Sequence, residues 1–101
     1  MSTKKIKYGL KELKRDFGPI TFGNLIEAYR LAEEFSQKEF AKLLDISPAS
    51  LCDLEKGRRI PSPERAASIA KKLKEPVSYW VQLAIQDHLD QAGLKLKVSV
   101  A

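Results

Sequence analysis

From Thr21 onward, apolar residues return every three or four positions, in short stripes separated by residues that favour helix ends. After Gly18-Pro19, Thr21 can cap a first helix whose apolar positions are Leu25, Ala28, Tyr29, Ala32 and Phe35. Ser36-Gln37-Lys38-Glu39 reads as a capping box, in which Ser36 accepts from the third amide and Glu39 reaches back. The helix it opens, Gln37 to Leu44, shows Phe40, Ala41, Leu43 and Leu44 as its apolar face. Ser47-Pro48 opens a third helix, with proline at the first helical position where its missing N–H costs nothing, and Gly57 ends it. Ser62-Pro63 repeats that start signal, and Ala66, Ala67, Ile69, Ala70 and Leu73 follow up to the Glu75-Pro76 break. A fifth helix, about Ser78 to Ala92, carries Trp80, Val81, Leu83, Ala84, Ile85 and Leu89, and Gly93 closes it.

The period then changes. Leu94, Leu96, Val98 and Val100 alternate with Lys95, Lys97 and Ser99, which predicts a short C-terminal strand. A lone strand needs a partner: the segment Lys4 to Leu10, its own copy across a dimer axis, or another protein. The expected organisation is therefore all-α, with a basic N-terminal extension over 1–20, a five-helix body over 21–93 and a strand over 94–101.

Composition narrows the class. The 101 residues make one domain's worth of chain, 44% hydrophobic and 31% charged, so a packed core is expected rather than disorder. Net charge is +5, unevenly spread: 1–21 carries six basic and two acidic groups, 48–75 carries seven and four, and 22–47 is net acidic. A polyanionic partner is favoured over uniform solubilising charge. One Cys and one His exclude an internal disulfide and argue against a Cys/His zinc site. No apolar stretch follows the basic start, and no 18-residue apolar run occurs, so the expectation is a protein of the cytoplasm with no membrane partner.

The most informative stretch lies between the second and third helices. Gln37–Leu44, the corner Asp45-Ile46-Ser47 and the helix from Pro48 to Lys56 have helix-turn-helix dimensions. Ala41 is small enough for two helices to cross closely, Ile46 can turn inward at the corner, and Leu51 and Leu54 can anchor the second helix one turn apart. Enlarging Ala41 should cost about 1–3 kcal/mol by overpacking. On these residues, with Gln37, Ser47, Glu55 and Gly57 in the same register, the segment Phe35 to Arg59 resembles the Cro and lambda-repressor (XRE) family of DNA-binding domains, and the likeness extends from about Thr21 to Leu83. One departure is Asp45, where that family usually has a glycine with positive φ; Asp tolerates the left-handed region at a cost of about 1 kcal/mol.

The resemblance implies a double-stranded DNA operator and a homodimer reading two half-sites. It places the outer face of the third helix in the major groove, with Pro48, Ala49, Ser50 and Asp53 at base-reading positions. Two of these are apolar and suit thymine methyls, whereas Asp53 suits a cytosine amine or else serves as a solvated or intramolecularly paired residue. Ser36, Gln37 and Lys38 at the start of the second helix, and Lys56, Arg58 and Arg59 beyond the third, are the expected phosphate contacts. In the resembling family an Arg seven residues before the Gln pairs with the Glu preceding the closing Gly, which here implies an Arg30–Glu55 ion pair.

Other reactive side chains read as structural. His88, between Asp87 and Asp90, has no companion nucleophile; Cys52 fits a half-buried thiol better than a redox switch; Tyr79 and Trp80 keep apolar spacing with Leu83. No catalytic residue and no cofactor is implied. Three functions compete. One is a stand-alone phage-type or housekeeping repressor. The second resembles HigA-type antitoxins, small XRE proteins that neutralise a RelE-like ribonuclease toxin and repress their own operon. It draws on the basic lead Leu10 to Gly23, on the Leu51 to Arg59 run, and on a length with no room for an inducer-binding domain. The third is an interaction module that has lost DNA binding, supported only by the acidic Asp53.

Overall fold

A computed structural model describes residues 20–99, and the expected N-terminal extension and its strand candidate at Lys4 to Leu10 lie outside the described residues. Five helices occur among them: α1 Phe22–Ala32, α2 Gln37–Leu44, α3 Pro48–Glu55, α4 Pro63–Leu73 and α5 Val77–Gln91. The chain divides into two compact units, the first ending at Arg58 and the second beginning at Arg59.

In the first unit, Thr21, Ser36 and Ser47 each accept a hydrogen bond from an amide three residues on, at 3.0–3.1 Å, so the predicted N-caps start the predicted helices. The Ser36–Glu39 box closes in both directions, Ser36 N–H donating to Glu39 Oε1 at 2.9 Å. Phe22, Leu25, Ile26 and Tyr29 of α1, Phe40, Ala41 and Leu44 of α2, and Leu51 and Leu54 of α3 are buried. The Phe40 ring stacks between Tyr29 and Phe35, with centroids 5.9 and 5.6 Å away. Two expectations need correction. Leu43 is 47% exposed, because α2 spans only two turns and its buried stripe is Phe40, Ala41 and Leu44. The face of α1 is set by Phe22 and Ile26, and Phe35 sits past the helix end, half-buried.

Where α1 meets α3 the backbones approach closely. A Cβ built on Gly23 would lie 2.5 Å from Leu54 O and 2.8 Å from Glu55 O, so only a hydrogen fits there. This is the contact that sets α3 against the rest of its unit.

All five helices end in the same way. The residue in the left-handed region donates its N–H to a carbonyl three residues back, and the next residue donates to one five back, a Schellman closure. Gly57 (φ 75°) and Gly93 (φ 77°) fill that position in α3 and α5 as expected. Asp45 (φ 60°) fills it in α2, in place of the usual glycine. Glu34 (φ 63°) and Lys74 (φ 58°) fill it in α1 and α4, where no glycine marked the end in the sequence.

The second unit is the α4–α5 pair. Ala66, Ile69, Ala70 and Leu73 of α4 and Trp80, Leu83 and Ala84 of α5 are buried, while Ala67, Val81, Ile85 and Leu89 are only half-buried. Trp80 is thus a core residue, and His88, exposed near the end of α5, donates its Nε2 hydrogen to Pro61 O at 2.9 Å.

The tail corrects the sequence reading: residues 94–99 form no strand. A ladder needs a second backbone, and no extended backbone among the described residues supplies one. Two glutamine side chains take its place. Gln86 Nε2 donates to Leu96 O at 2.8 Å and its Oε1 accepts from Val98 N–H at 2.9 Å, while Gln82 Nε2 donates to Val98 O at 3.0 Å. Residues four apart on a helix rise about 6 Å, and residues two apart in extended chain advance about 6.6 Å, so the two spacings match. The tail runs back along α5 pinned at alternate residues, with Leu94 and Leu96 exposed.

Candidate functional site

The site is assembled from α2, α3 and the turn after α3. Ala41, buried in α2, and Leu51 and Leu54, buried in α3, make the crossing, and Ile46 fills the corner half-buried. The corner works because Asp45 adopts φ 60°, ψ 45°, turning the chain so that Ile46 N–H reaches Ala41 O at 3.0 Å.

A polar network locks α1, α2 and α3 together behind this crossing. Arg30 donates from Nε to Glu55 Oε2 at 2.7 Å and from Nη2 to Glu55 Oε1 at 3.2 Å, the expected bidentate pair. The side chains are 11% and 2% exposed. Arg30 Nη1 also donates to Phe35 O at 3.1 Å, tying down the α1–α2 turn. The third member escaped the sequence reading: Gln37 Nε2 donates to Glu55 Oε1 at 3.0 Å. Gln37 is therefore oriented by the same carboxylate that holds Arg30, and its amide oxygen has no partner among the described residues.

At the start of α2 the capping box uses the Ser36 hydroxyl and the Ser36 and Glu39 amides. The Ser36 backbone amide, then the Ser36 side chain, hold the Glu39 carboxyl below its usual range. Among the described residues, the Gln37 and Lys38 amides are left without a partner there, beside the exposed Lys38 side chain.

Along the outer face of α3, Pro48 and Ala49 are exposed, and Ser50, Cys52 and Asp53 half-buried. Ser47 Oγ donates to Ser50 Oγ at 2.9 Å, which leaves the Ser50 hydroxyl hydrogen free to donate elsewhere. Asp53 is ion-paired: Arg58 Nε donates to Asp53 Oδ1 at 2.9 Å. Arg58 Nη2 also reaches Cys52 Sγ at 3.5 Å. The Asp53 hydrogen bond, outweighing slight desolvation, raises the Arg58 pKa above its usual value. Lys56 and Arg58 are exposed beside Gly57, whereas Arg59, also exposed, opens the second unit.

Sequence reasoning thus found the capping residues, the crossing residues and the Arg30–Glu55 pair. It missed Gly23, whose role is visible only as a distance to another helix's carbonyls, and it treated Gln37 and Arg58 apart from the carboxylates that hold them. Among the described residues no helix is long and apolar enough to cross a membrane, and no cluster of His, Cys, Asp and Glu is arranged to hold a metal ion.

Compared with known families, the chain matches the one described as helix-turn-helix over residues 26–80, more than half its length. No curated protein and no solved structure matches it.

Proposed function

This chain belongs to the Cro and lambda-repressor (XRE) family of helix-turn-helix proteins and is a DNA-binding regulator, and from that premise we propose that it is a sequence-specific, homodimeric repressor that serves as the autoregulating antitoxin of a toxin–antitoxin pair. The observation that carries the DNA-reading part is the α2–α3 crossing closed by left-handed Asp45, with a half-bare α2 N-terminus beside it and a solvent-facing α3.

In this reading the start of α3 enters the major groove. Pro48 and Ala49 meet thymine methyls, Ser50 offers its free hydroxyl hydrogen, and Asp53 faces a base edge. Phosphates are held by the unpartnered amides of Gln37 and Lys38, the free oxygen-bearing end of Gln37 bridging through water, and the cations of Lys38, Lys56, Arg58 and Arg59. Ser36 fixes the helix end by accepting from Glu39 N–H, and its hydroxyl hydrogen is left to donate to a phosphate.

The antitoxin assignment draws support from the tail. With residues 96 and 98 pinned to α5, the main-chain groups of Lys95, Lys97 and Ser99 have no partner among the described residues. That open edge suits β-augmentation by a RelE-like toxin or by a second copy. The alternative is a stand-alone phage-type or housekeeping repressor without a toxin.

The test is duplex binding across a salt series, followed by tagged co-expression with the neighbouring reading frame. A linear fall of log K with log salt, at about −0.9 per phosphate engaged, and loss of binding in Arg58→Ala with Arg59→Ala are expected. A double variant that binds as the parent does would remove the DNA-reading proposal. Failure of the neighbour to co-purify would leave the stand-alone repressor.

A further inference from the structure

The acidic residue on the outer face of α3 is held in place by the helix's own end. Asp53 is the third residue from the α3 terminus and Arg58 the residue after Gly57, the two positions that a Schellman closure joins. Their main chains are bonded, Arg58 N–H to Asp53 O at 2.9 Å. Their side chains are bonded again, Nε to Oδ1 at 2.9 Å, and Cys52 Sγ takes a second guanidinium hydrogen. The glycine at φ 75° makes this doubling possible by turning the chain back over the last turn.

The result is a carboxylate with one oxygen committed and the other, Oδ2, without a partner among the described residues. Asp53 is 37% exposed and Arg58 58% exposed, and the Arg58 Nη1 hydrogens are unspent. A bare carboxylate on a surface facing DNA is repelled by every phosphate. One bridged by a guanidinium has that repulsion offset, and it still presents a pure acceptor to whatever lies in front of it.

We propose that Asp53, positioned by Arg58, selects a cytosine in each half-site by accepting from its N4 amine, and that Arg58 links this reader to the phosphate backbone. The inference rests on the DNA-reading function above and names the base it reads. Among major-groove edges, cytosine presents a donor with no acceptor on the same base. Adenine sets N7 beside its amine, and guanine and thymine present acceptors that repel a carboxylate. Selectivity therefore comes as much from rejecting the wrong edge as from binding the right one. Arg58 is a positioning residue here. Its guanidinium holds Oδ1 with Nε and offers Nη1 to a phosphate, whereas a lysine would supply the charge without the planar fork.

The experiment is selection from a randomised duplex pool by the full-length protein, its Asp53→Ala and Arg58→Lys variants, with thermal melts showing that each is folded. The parent should enrich a two-fold site with one fixed cytosine per half. Asp53→Ala should flatten the preference at that position alone, a loss of about tenfold in discrimination, and should bind unrelated duplex more tightly than the parent. Arg58→Lys should blur the same position while keeping the parent's salt slope. A cytosine preference that survives Asp53→Ala overturns the proposal, and one untouched by Arg58→Lys overturns the positioning role. A parent that enriches no site at all brings down the DNA-reading function as well, an outcome the variants are not needed to see.

Discussion

Replacing Glu55 by Gln keeps the shape of the side chain and removes one charge, and the structure says what that should cost. The carboxylate accepts from Arg30 Nε at 2.7 Å, from Arg30 Nη2 at 3.2 Å and from Gln37 Nε2 at 3.0 Å, at 2% exposure. A glutamine amide has one oxygen for these three donors. If the oxygen faces Arg30 Nε, the new NH2 confronts Arg30 Nη2 and Gln37. If it faces those two, the NH2 confronts Nε. Donor meets donor either way, and Arg30 keeps one bond to the amide oxygen beside its bond to the Phe35 carbonyl at 3.1 Å. A charged hydrogen bond contributes about 1.5–3 kcal/mol, and breaking a buried pair from one side costs about 3–5 kcal/mol. Arg30, 11% exposed, recovers part of this from water. A loss of about 2–4 kcal/mol follows, which for a chain of this size lowers Tm by roughly 10–25 °C. Far-UV circular dichroism melts at low and high salt measure it, and the drop should persist at high salt because the pair is shielded from ions. A Glu55→Gln variant melting within about 2 °C of the parent would show that the network does not hold the three helices. Replacing both partners with apolar residues, Arg30→Met with Glu55→Leu, should recover much of the loss, since no buried charge is then stranded.

Four further outcomes are expected. Gly23→Ala should lower the urea midpoint by an amount equal to about 1–3 kcal/mol or more, because its Cβ would lie 2.5 and 2.8 Å from two main-chain oxygens that cannot step aside as a side chain can. Asp45→Gly and Lys74→Gly, at φ 60° and 58°, should each raise Tm, the relief of about 1–2 kcal/mol being partly offset by the entropy of glycine in the unfolded chain. Glu39 titrates below its ordinary value of 4.5 in the folded protein, so the capping-box contribution is complete above that pH and is lost as pH falls through the lowered value. An acid titration should show Glu39→Ala losing most of its deficit against the parent at the acid end, because the Ser36 N–H to carboxylate bond it removes is the part that titrates. Gln86→Ala should speed hydrogen exchange at the Val98 amide while leaving the global melt nearly unchanged, because only the tail is released.

The local rules carried far in this chain because short helices are set by their ends. Ser36, Ser47 and Ser62 cap where hydroxyl chemistry says they should, and Pro48 and Pro63 start helices for a reason contained in their own rings. The register of Ala41, Ile46, Leu51 and Leu54 likewise identified the helix crossing, since residue size alone decides how close two helices come.

What the linear order could not disclose were relations among residues brought together by folding. Gly23 looks like any glycine near a helix start until the Leu54 and Glu55 carbonyls arrive above it. Gln37 and Arg58 look like loose polar groups until Glu55 and Asp53 claim their hydrogens. The tail's alternation was real, but alternation records two faces and says nothing of what stands beside them, and the glutamines of α5 took the place a strand would have filled. Capping and periodicity are properties of a few neighbouring residues and so are written in the sequence; hydrogen-bond partners and close approaches are distances, and only the tertiary structure sets those.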